Sequence, residues 1–381
     1  MTSLTKKIDI TISSSVFTVV IIGLYTTYLT YMLIYDERTW KVPKRELLLA
    51  LTLLIIVAIR IFSGGYSSKS LLFFPVYTAV ILLTNLFIVP QAVSSDILFG
   101  TISRITAIFA LLAIPIWFFA PIDVGVIKLI RWDDSFLQIS SIFANPNALA
   151  KFAMVGFFGA LLEYNRYQTN VARVLLLITT IVVLLSYSRA VIVGIVIAMI
   201  VYFIQTRISS SAAILCVSGL FAGLFCFLTI IYFGWIPFVL NDIHFSGRLI
   251  IWEGVVNSLK GEKFWIGYGF MPASETIDPY LPERWHNHGP HNAYYRWWLR
   301  GGIVTVITFL LLFWGTIFRH YQAPQTNPAI GALGVAWAIV FLFDASLLIG
   351  AGIFPVLISL SLGYLIMDTA NIDSTAPDVQ S

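Results

Sequence analysis

Apolar segments long enough to cross a lipid bilayer recur from one end of this chain to the other, and they leave very few folds open to it. They run at about 11–35, 47–62, 71–90, 103–121, 147–163, 174–187, 190–205, 212–236, 302–318, 329–348 and 350–367. A bilayer core takes about 20 residues of helix. Backbone polar groups find no water there, so spans of this kind are helices. The 174–205 stretch is too long for one span and splits at Ser186-Tyr187-Ser188-Arg189; 331–367 splits near Gly350 and Gly352. Composition agrees: 59% of the 381 residues are hydrophobic, 11% are charged and the mean hydropathy is +0.88. A soluble domain would carry about 25% charged residues. The expected fold is an all-α polytopic membrane protein of about 11–12 transmembrane helices, with a large outer loop containing short interfacial helices.

Positive charges orient the spans. Arg38, Lys41, Lys44, Arg45, Arg166, Arg173, Arg207 and Arg319 share one side if the polar excursion 237–290 lies on the other. That puts the excursion, the Arg189 turn and 122–146 on the outer face. Eleven spans would strand Lys6 and Lys7 outside, so a twelfth crossing is expected from a hairpin within 8–35. No cleavable signal is evident after Lys6-Lys7. Four regions follow: 1–236 with the Arg189 turn, the 237–290 loop, 291–368, and a polar, disordered cytoplasmic tail at 369–381.

Several function classes drop out. The net charge of +4 is spread over many loops and gives no reason to invoke nucleic acid. Cys216 and Cys226 would stand about 15 Å apart on one helix, too far for a disulfide. No internal repeat supports an inverted-repeat transporter, and no carboxylate pair suggests glycoside hydrolysis.

Chemistry concentrates where the outer loop meets the membrane. Three of the five histidines fall in His286-Asn287-His288-Gly289-Pro290-His291-Asn292. Histidine takes up a proton near neutral pH and can deprotonate a hydroxyl. The cluster lacks a nearby carboxylate other than Glu283, and Gly289-Pro290 breaks any helical spacing, so no metal site is expected. If the following run is helical, Asn292, Arg296 and Arg300 share one face. Tyr294, Tyr295, Trp297 and Trp298 are belt aromatics or surfaces that stack on sugars.

Two arginines stand apart from this cluster. Leu249, Trp252, Val256 and Leu259 have helical spacing, with Ser246 as N-cap and Lys260-Gly261 at the far end. Such a helix would lie on the membrane with its apolar face down. Arg248 at its N-terminal end gains nothing from the helix dipole; it is a solvated loop arginine or it binds an anion. Arg189, between two apolar helices, snorkels to the interface or clamps a phosphate bidentately. Asn145-Pro146-Asn147 reads as a helix start, and Asp344 is an ionisable residue within an apolar segment.

These residues resemble the O-antigen ligase and polymerase superfamily of bacterial inner-membrane glycosyltransferases. Its members carry a His followed by Asn, Ser or Gln, nine residues, Gly, two residues, then Gly, Thr or Tyr. Here His291-Asn292, Gly302 and Thr305 match without a gap. Arg248 with Trp252 and Gly267-Tyr268-Gly269, the Ser188-Arg189 pair and Asn145-Pro146-Asn147 look similar to the family's segments in order. The resemblance covers about 140 to 365.

It implies a glycan donor on undecaprenyl pyrophosphate and an acceptor sugar hydroxyl, on lipid A–core in a ligase or on a second lipid-linked glycan in a polymerase. It implies His291 as general base and Arg189 with Arg248 as the pyrophosphate clamp, without cofactor or metal, facing the periplasm. Asn292, Tyr294, Tyr295, Arg296, Trp298 and Arg300 are candidate acceptor or glycan contacts. A transporter of lipid-linked glycans would instead distribute charged residues through the span interiors.

Overall fold

The computed structural model describes residues 42–63, 69–119, 145–233, 247–323, 325–350 and 352–373, with isolated residues between them. The 11–35 segment and its expected hairpin, Ser246, most of 122–146 and the tail from 374 lie outside the described residues. Seven of the described helices are long and apolar enough to cross a membrane, and two shorter apolar helices accompany them. The chain is an all-α polytopic membrane protein; the described strands are a two-rung ladder pairing Ile122–Asp123 with Lys128–Leu129. It divides into two compact units, Met1–Arg38 with Val93–Ile192, and Thr39–Ala92 with Val193–Ser381.

The helices of the second unit are α1 (Lys44–Ser63), α2 (Lys69–Leu83), α3 (Val89–Ala92) and those from 193 onward; the first holds α4 (Ser95–Phe119), α5 (Pro146–Tyr167) and α6 (Asn170–Leu185). Helix α7 (Arg189–Arg207) begins in the first unit.

In the first unit, α4 and α5 meet at Gly159, where a Cβ would overlap the Phe99 carbonyl. Arg104 pairs with Glu163 through two hydrogen bonds of 2.7 and 2.8 Å, and Arg166 with Asp96 at 2.8 Å. These pairs explain why α4 starts eight residues before hydropathy alone suggested: Asp96 and Arg104 are satisfied side chain to side chain. Helix α5 begins at Pro146, capped by the Asn145 side chain on the Asn147 N–H at 2.8 Å.

The second unit continues with α8 (Ser210–Tyr232), loop helices α9 (Arg248–Ser258), α10 (Glu262–Ile266) and α11 (Ala273–Ile277), then α12 (Ala293–Gln322), α13 (Pro328–Phe343) and α14 (Ile353–Asp373). Helix α12 is its centre, packing on α1, α8, α13 and α14. Between α2 and α3 the chain winds as a π-helix over Thr84–Ile88. There Gly363 of α14 admits the Asn85 backbone and Asn85 donates to Ser359 Oγ at 2.7 Å.

The loop helix α9 corrects one expectation. Ile251, Trp252, Val255, Val256 and Leu259 are buried against Ile277, Leu281, Tyr295 and Leu299, so its apolar face meets protein rather than lipid. The loop folds back and supplies its own cover. The cap position is Gly247, in the left-handed conformation at φ +75°, where a Cβ would overlap the Trp285 ring.

Candidate active site

Helix α12 starts nine residues before the apolar run expected at 302, and the early start makes the site. Asn292 caps it: its side chain accepts from the Tyr295 N–H at 3.0 Å and donates to the Leu342 carbonyl at 3.1 Å. At Gly302 the backbone turns to φ +73°, ψ −172°, and the helix breaks into two. Such a break frees carbonyls that would otherwise be paired within the helix. The Gly267-Tyr268-Gly269 segment fills the gap: Tyr268 N–H donates to the Leu299 carbonyl and Gly269 N–H to the Arg300 carbonyl at 3.0 Å. The Thr305 hydroxyl donates to the Gly301 carbonyl at 2.8 Å. The approach is backbone against backbone. A Cβ at Gly267 would lie 2.6 Å from the Leu299 carbonyl oxygen, and one at Gly302 would overlap the Trp265 carbonyl. The spacing of His291-Asn292, Gly302 and Thr305 thus describes a short capped half-helix, held by the outer loop.

His291 stands at the mouth of that half-helix, with its backbone in the left-handed region at φ +43°. His291 is exposed, while the neighbouring Asn292 is fully buried. Partial burial of the imidazole, foremost, pushes its pKa below the usual 6.5. The Arg248 cation lowers it further, Asp344 opposes, and His288 and Arg296 add smaller downward effects. These effects favour the neutral imidazole, the form that can accept a proton.

The segment before His291 is fixed by a long-range bond. Trp252 Nε1 donates to the Pro290 carbonyl at 2.6 Å, from a fully buried indole. Trp252→Phe keeps most of the ring but leaves that buried carbonyl unpaired, a loss of about 1–3 kcal/mol. A lower melting temperature and slower turnover are expected, checked by thermal unfolding in detergent beside a transfer assay.

Arg248 is the first residue of α9, half-buried, with its guanidinium 5.9 Å from the Phe343 ring centroid. No side chain caps that helix start. Arg189 is the first residue of α7, exposed, and follows a turn in which Ser186 and Ser188 are buried and Tyr187 has φ +54°. It belongs to the first unit, whereas Arg248 and His291 belong to the second. Both arginines therefore sit where a helix dipole favours an anion over a cation.

The expected glycan contacts all make contacts within the fold. Tyr294 and Tyr295 are each 1% exposed. Tyr294 donates to the Ala338 carbonyl and accepts from Trp314 Nε1, while Tyr295 lies against Trp252 and Trp298. Asn292 is spent on capping. All three side chains are covered by α13 or by the returning loop. Trp298 is half-buried, donating to the Phe264 carbonyl and stacked on Tyr232. Arg296 donates to the Ala345 carbonyl at 2.9 Å, and Arg300 lies 4.3 Å over the Phe270 ring. His286 and His288 turn their rings to backbone carbonyls of Leu281, Trp285 and His286, which ties the loop together.

For three contributors the sequence did not show what they face. Asp344 is the C-terminal cap of α13, accepting from the Ser346 N–H at 2.8 Å and acting electrostatically on both His291 and Arg296. Its position in an apolar run marked it as unusual without saying what it faced. Gly247 and Gly267 are dictated by close approaches from residues far along the chain, which no local pattern announces.

The comparisons with known proteins fit this geometry. Residues 174–310 match the family model described as O-antigen ligase. The matched stretch holds Arg189, Arg248, His291, Gly302 and Thr305, while Asn145-Pro146-Asn147 lies outside it. No curated protein matches the chain. The matched residues carry the kinked half-helix and its histidine, and it is this part of the chain that is similar to the O-antigen ligase family.

Proposed function

We propose that the protein is an O-antigen ligase-type transferase, moving a glycan from undecaprenyl pyrophosphate to a sugar hydroxyl of lipid A–core at the periplasmic face of the inner membrane. The observation that carries this reading is His291: an exposed histidine with its backbone at φ +43°, set where the loop enters helix α12, and with its pKa pushed below 6.5 by partial burial foremost. In the reaction the acceptor oxygen attacks the anomeric carbon and His291 takes the hydroxyl proton. The bond to the pyrophosphate oxygen breaks, and its electron pair leaves with the lipid pyrophosphate. Direct displacement inverts the anomeric centre.

Arg189 and Arg248, each opening a helix, stabilise the growing charge on the leaving group. Two guanidinium groups suffice for a leaving group that departs well once its charge is held, so no metal is required. Arg296 and Asp344 set the field around the base.

Reconstitution with a defined lipid-linked donor tests the proposal. The wild type should join the glycan to lipid A–core, and Arg189→Ala or Arg248→Ala should each lower turnover by about 10²–10³-fold. Product formed only with a second lipid-linked unit would identify a polymerase instead. Movement of the donor across liposomes with no joining would overturn the enzyme reading.

A further inference from the structure

Helices α1 and α12 of the second unit pack antiparallel. Near one end of the pair Arg319 meets the buried Glu46; near the other Arg60 Nη2 donates to the Gly267 carbonyl at 3.2 Å. Arg60 lies in the last turn of α1, where a cation meets the negative end of the helix dipole. That much would hold for an arginine turned to water. This one is half-buried and pairs with a carbonyl 207 residues along the chain. Its Nη1 donates to Ser63 Oγ at 3.3 Å, and its buried Nε–H has no hydrogen-bond partner among the described residues. An unsatisfied buried donor costs stability, so packing alone would favour an apolar side chain here. The contact with Gly267 is what the position gains.

The consequence of that contact follows from the planarity of the peptide bond. The Gly267 C=O and the Tyr268 N–H are two ends of one planar unit and point in opposite directions. The N–H donates to the Leu299 carbonyl, which the break at Gly302 leaves free; the C=O receives Arg60. One peptide unit thus bridges α1 and α12, and turning it would break both bonds together. A charged donor at one end also polarises the unit and strengthens the bond at the other. Next along, Gly269 N–H donates to the Arg300 carbonyl at 3.0 Å, and a Cβ at Gly269 would lie 3.1 Å from the Arg60 carbonyl oxygen. On the α12 side the segment is held main chain to main chain; from the other side α1 backs it and Arg60 sets its orientation.

We propose that Arg60 is a positioning residue for glycan transfer: by holding the Gly267 carbonyl it steadies the short half-helix that has His291 at its mouth. The proposal rests on the transfer reading above. Arg60 acts through the Leu299 carbonyl, eight residues from His291 or about 12 Å of helix, and so at a distance from the reacting atoms. It lies outside residues 174–310, the stretch that matches the family model. The half-helix is therefore braced by a helix from much earlier in the chain.

The test uses Arg60→Met, which keeps the stem and removes the donor, and Arg60→Lys, which restores a charged donor. Both are made in the full-length protein in nanodiscs, with amide hydrogen exchange and steady-state transfer read side by side. In Arg60→Met the 264–271 segment should exchange about 10-fold faster, and kcat should fall about 10-fold with donor and acceptor KM unchanged. The acid limb of the pH profile should keep its midpoint, because Arg60 places the base without altering its field. Arg60→Lys should recover most of both losses. If Arg60→Met fails to fold, Arg60→Gln takes its place. A lower melting temperature with kcat per folded molecule intact would mean a merely structural role and overturns the proposal. Unchanged exchange overturns it too, as does faster exchange without loss of kcat. A shifted acid limb overturns it in favour of an electrostatic role. If the wild type transfers glycan to no acceptor, the transfer reading falls, while faster exchange in Arg60→Met would still show that Arg60 holds the segment.

Discussion

His291→Asn is expected to lower glycan transfer by about 10²–10⁴-fold, the usual contribution of a positioned general base, while the protein stays folded. Asparagine suits the test because it tolerates the left-handed backbone at φ +43° better than most residues. A loss of rate then reports lost proton transfer rather than a rearranged loop. The pH profile gives an independent check. The base works in its neutral form and its pKa lies below 6.5, so the acid limb of kcat/KM should have its midpoint below pH 6.5. Activity is full above that midpoint and falls as pH drops through it. Arg248 lowers this pKa and Asp344 raises it. Residual activity in Arg248→Ala should therefore show its acid limb at higher pH, and Asp344→Asn at lower pH. An acid limb that ignores both substitutions would assign proton transfer to another group.

Gly302→Ala should be nearly as damaging without touching a chemical group. The Gly302 backbone, at φ +73° and ψ −172°, lies in a region essentially reserved for glycine and costs an alanine about 1–3 kcal/mol, and overpacking adds about 1–3 kcal/mol or more. Here the added methyl would overlap the Trp265 carbonyl, which belongs to the backbone and cannot rotate aside. The segment 267–269 would be pushed off α12, and the Leu299 and Arg300 carbonyls would lose their donors. The expected result is a melting temperature several degrees lower, measured in detergent, with transfer close to background. Thr305→Val, which removes only the hydroxyl bond to Gly301, should be far milder.

The membrane class, the placement of most helices and the histidine at the loop junction were legible in the sequence, because apolar length and an interfacial His-Asn pair are local signals. The start of α12 was not, since Arg296, Arg300 and two glycines dilute the hydropathy of a segment that is nonetheless helical. Nor was the burial of Tyr294 and Tyr295. An aromatic run at a membrane edge looks the same whether it faces water or a loop that returns from forty residues away. Asn292 stood out in the sequence only as the partner of His291, and nothing local showed that its side chain caps the helix that follows. Asp344 was visible as a charge in an apolar run, but its tie to His291 depends on how α13 ends.

The junction at Gly267 and Gly302 is made by main chain alone, and this shapes how such a protein can diversify. Amides and carbonyls are the same whatever residues flank them. The flanking side chains can thus change without breaking this seam, so long as the two glycines stay. What the contact between the two segments requires of their own sequence is the absence of a side chain at two positions far apart in the chain.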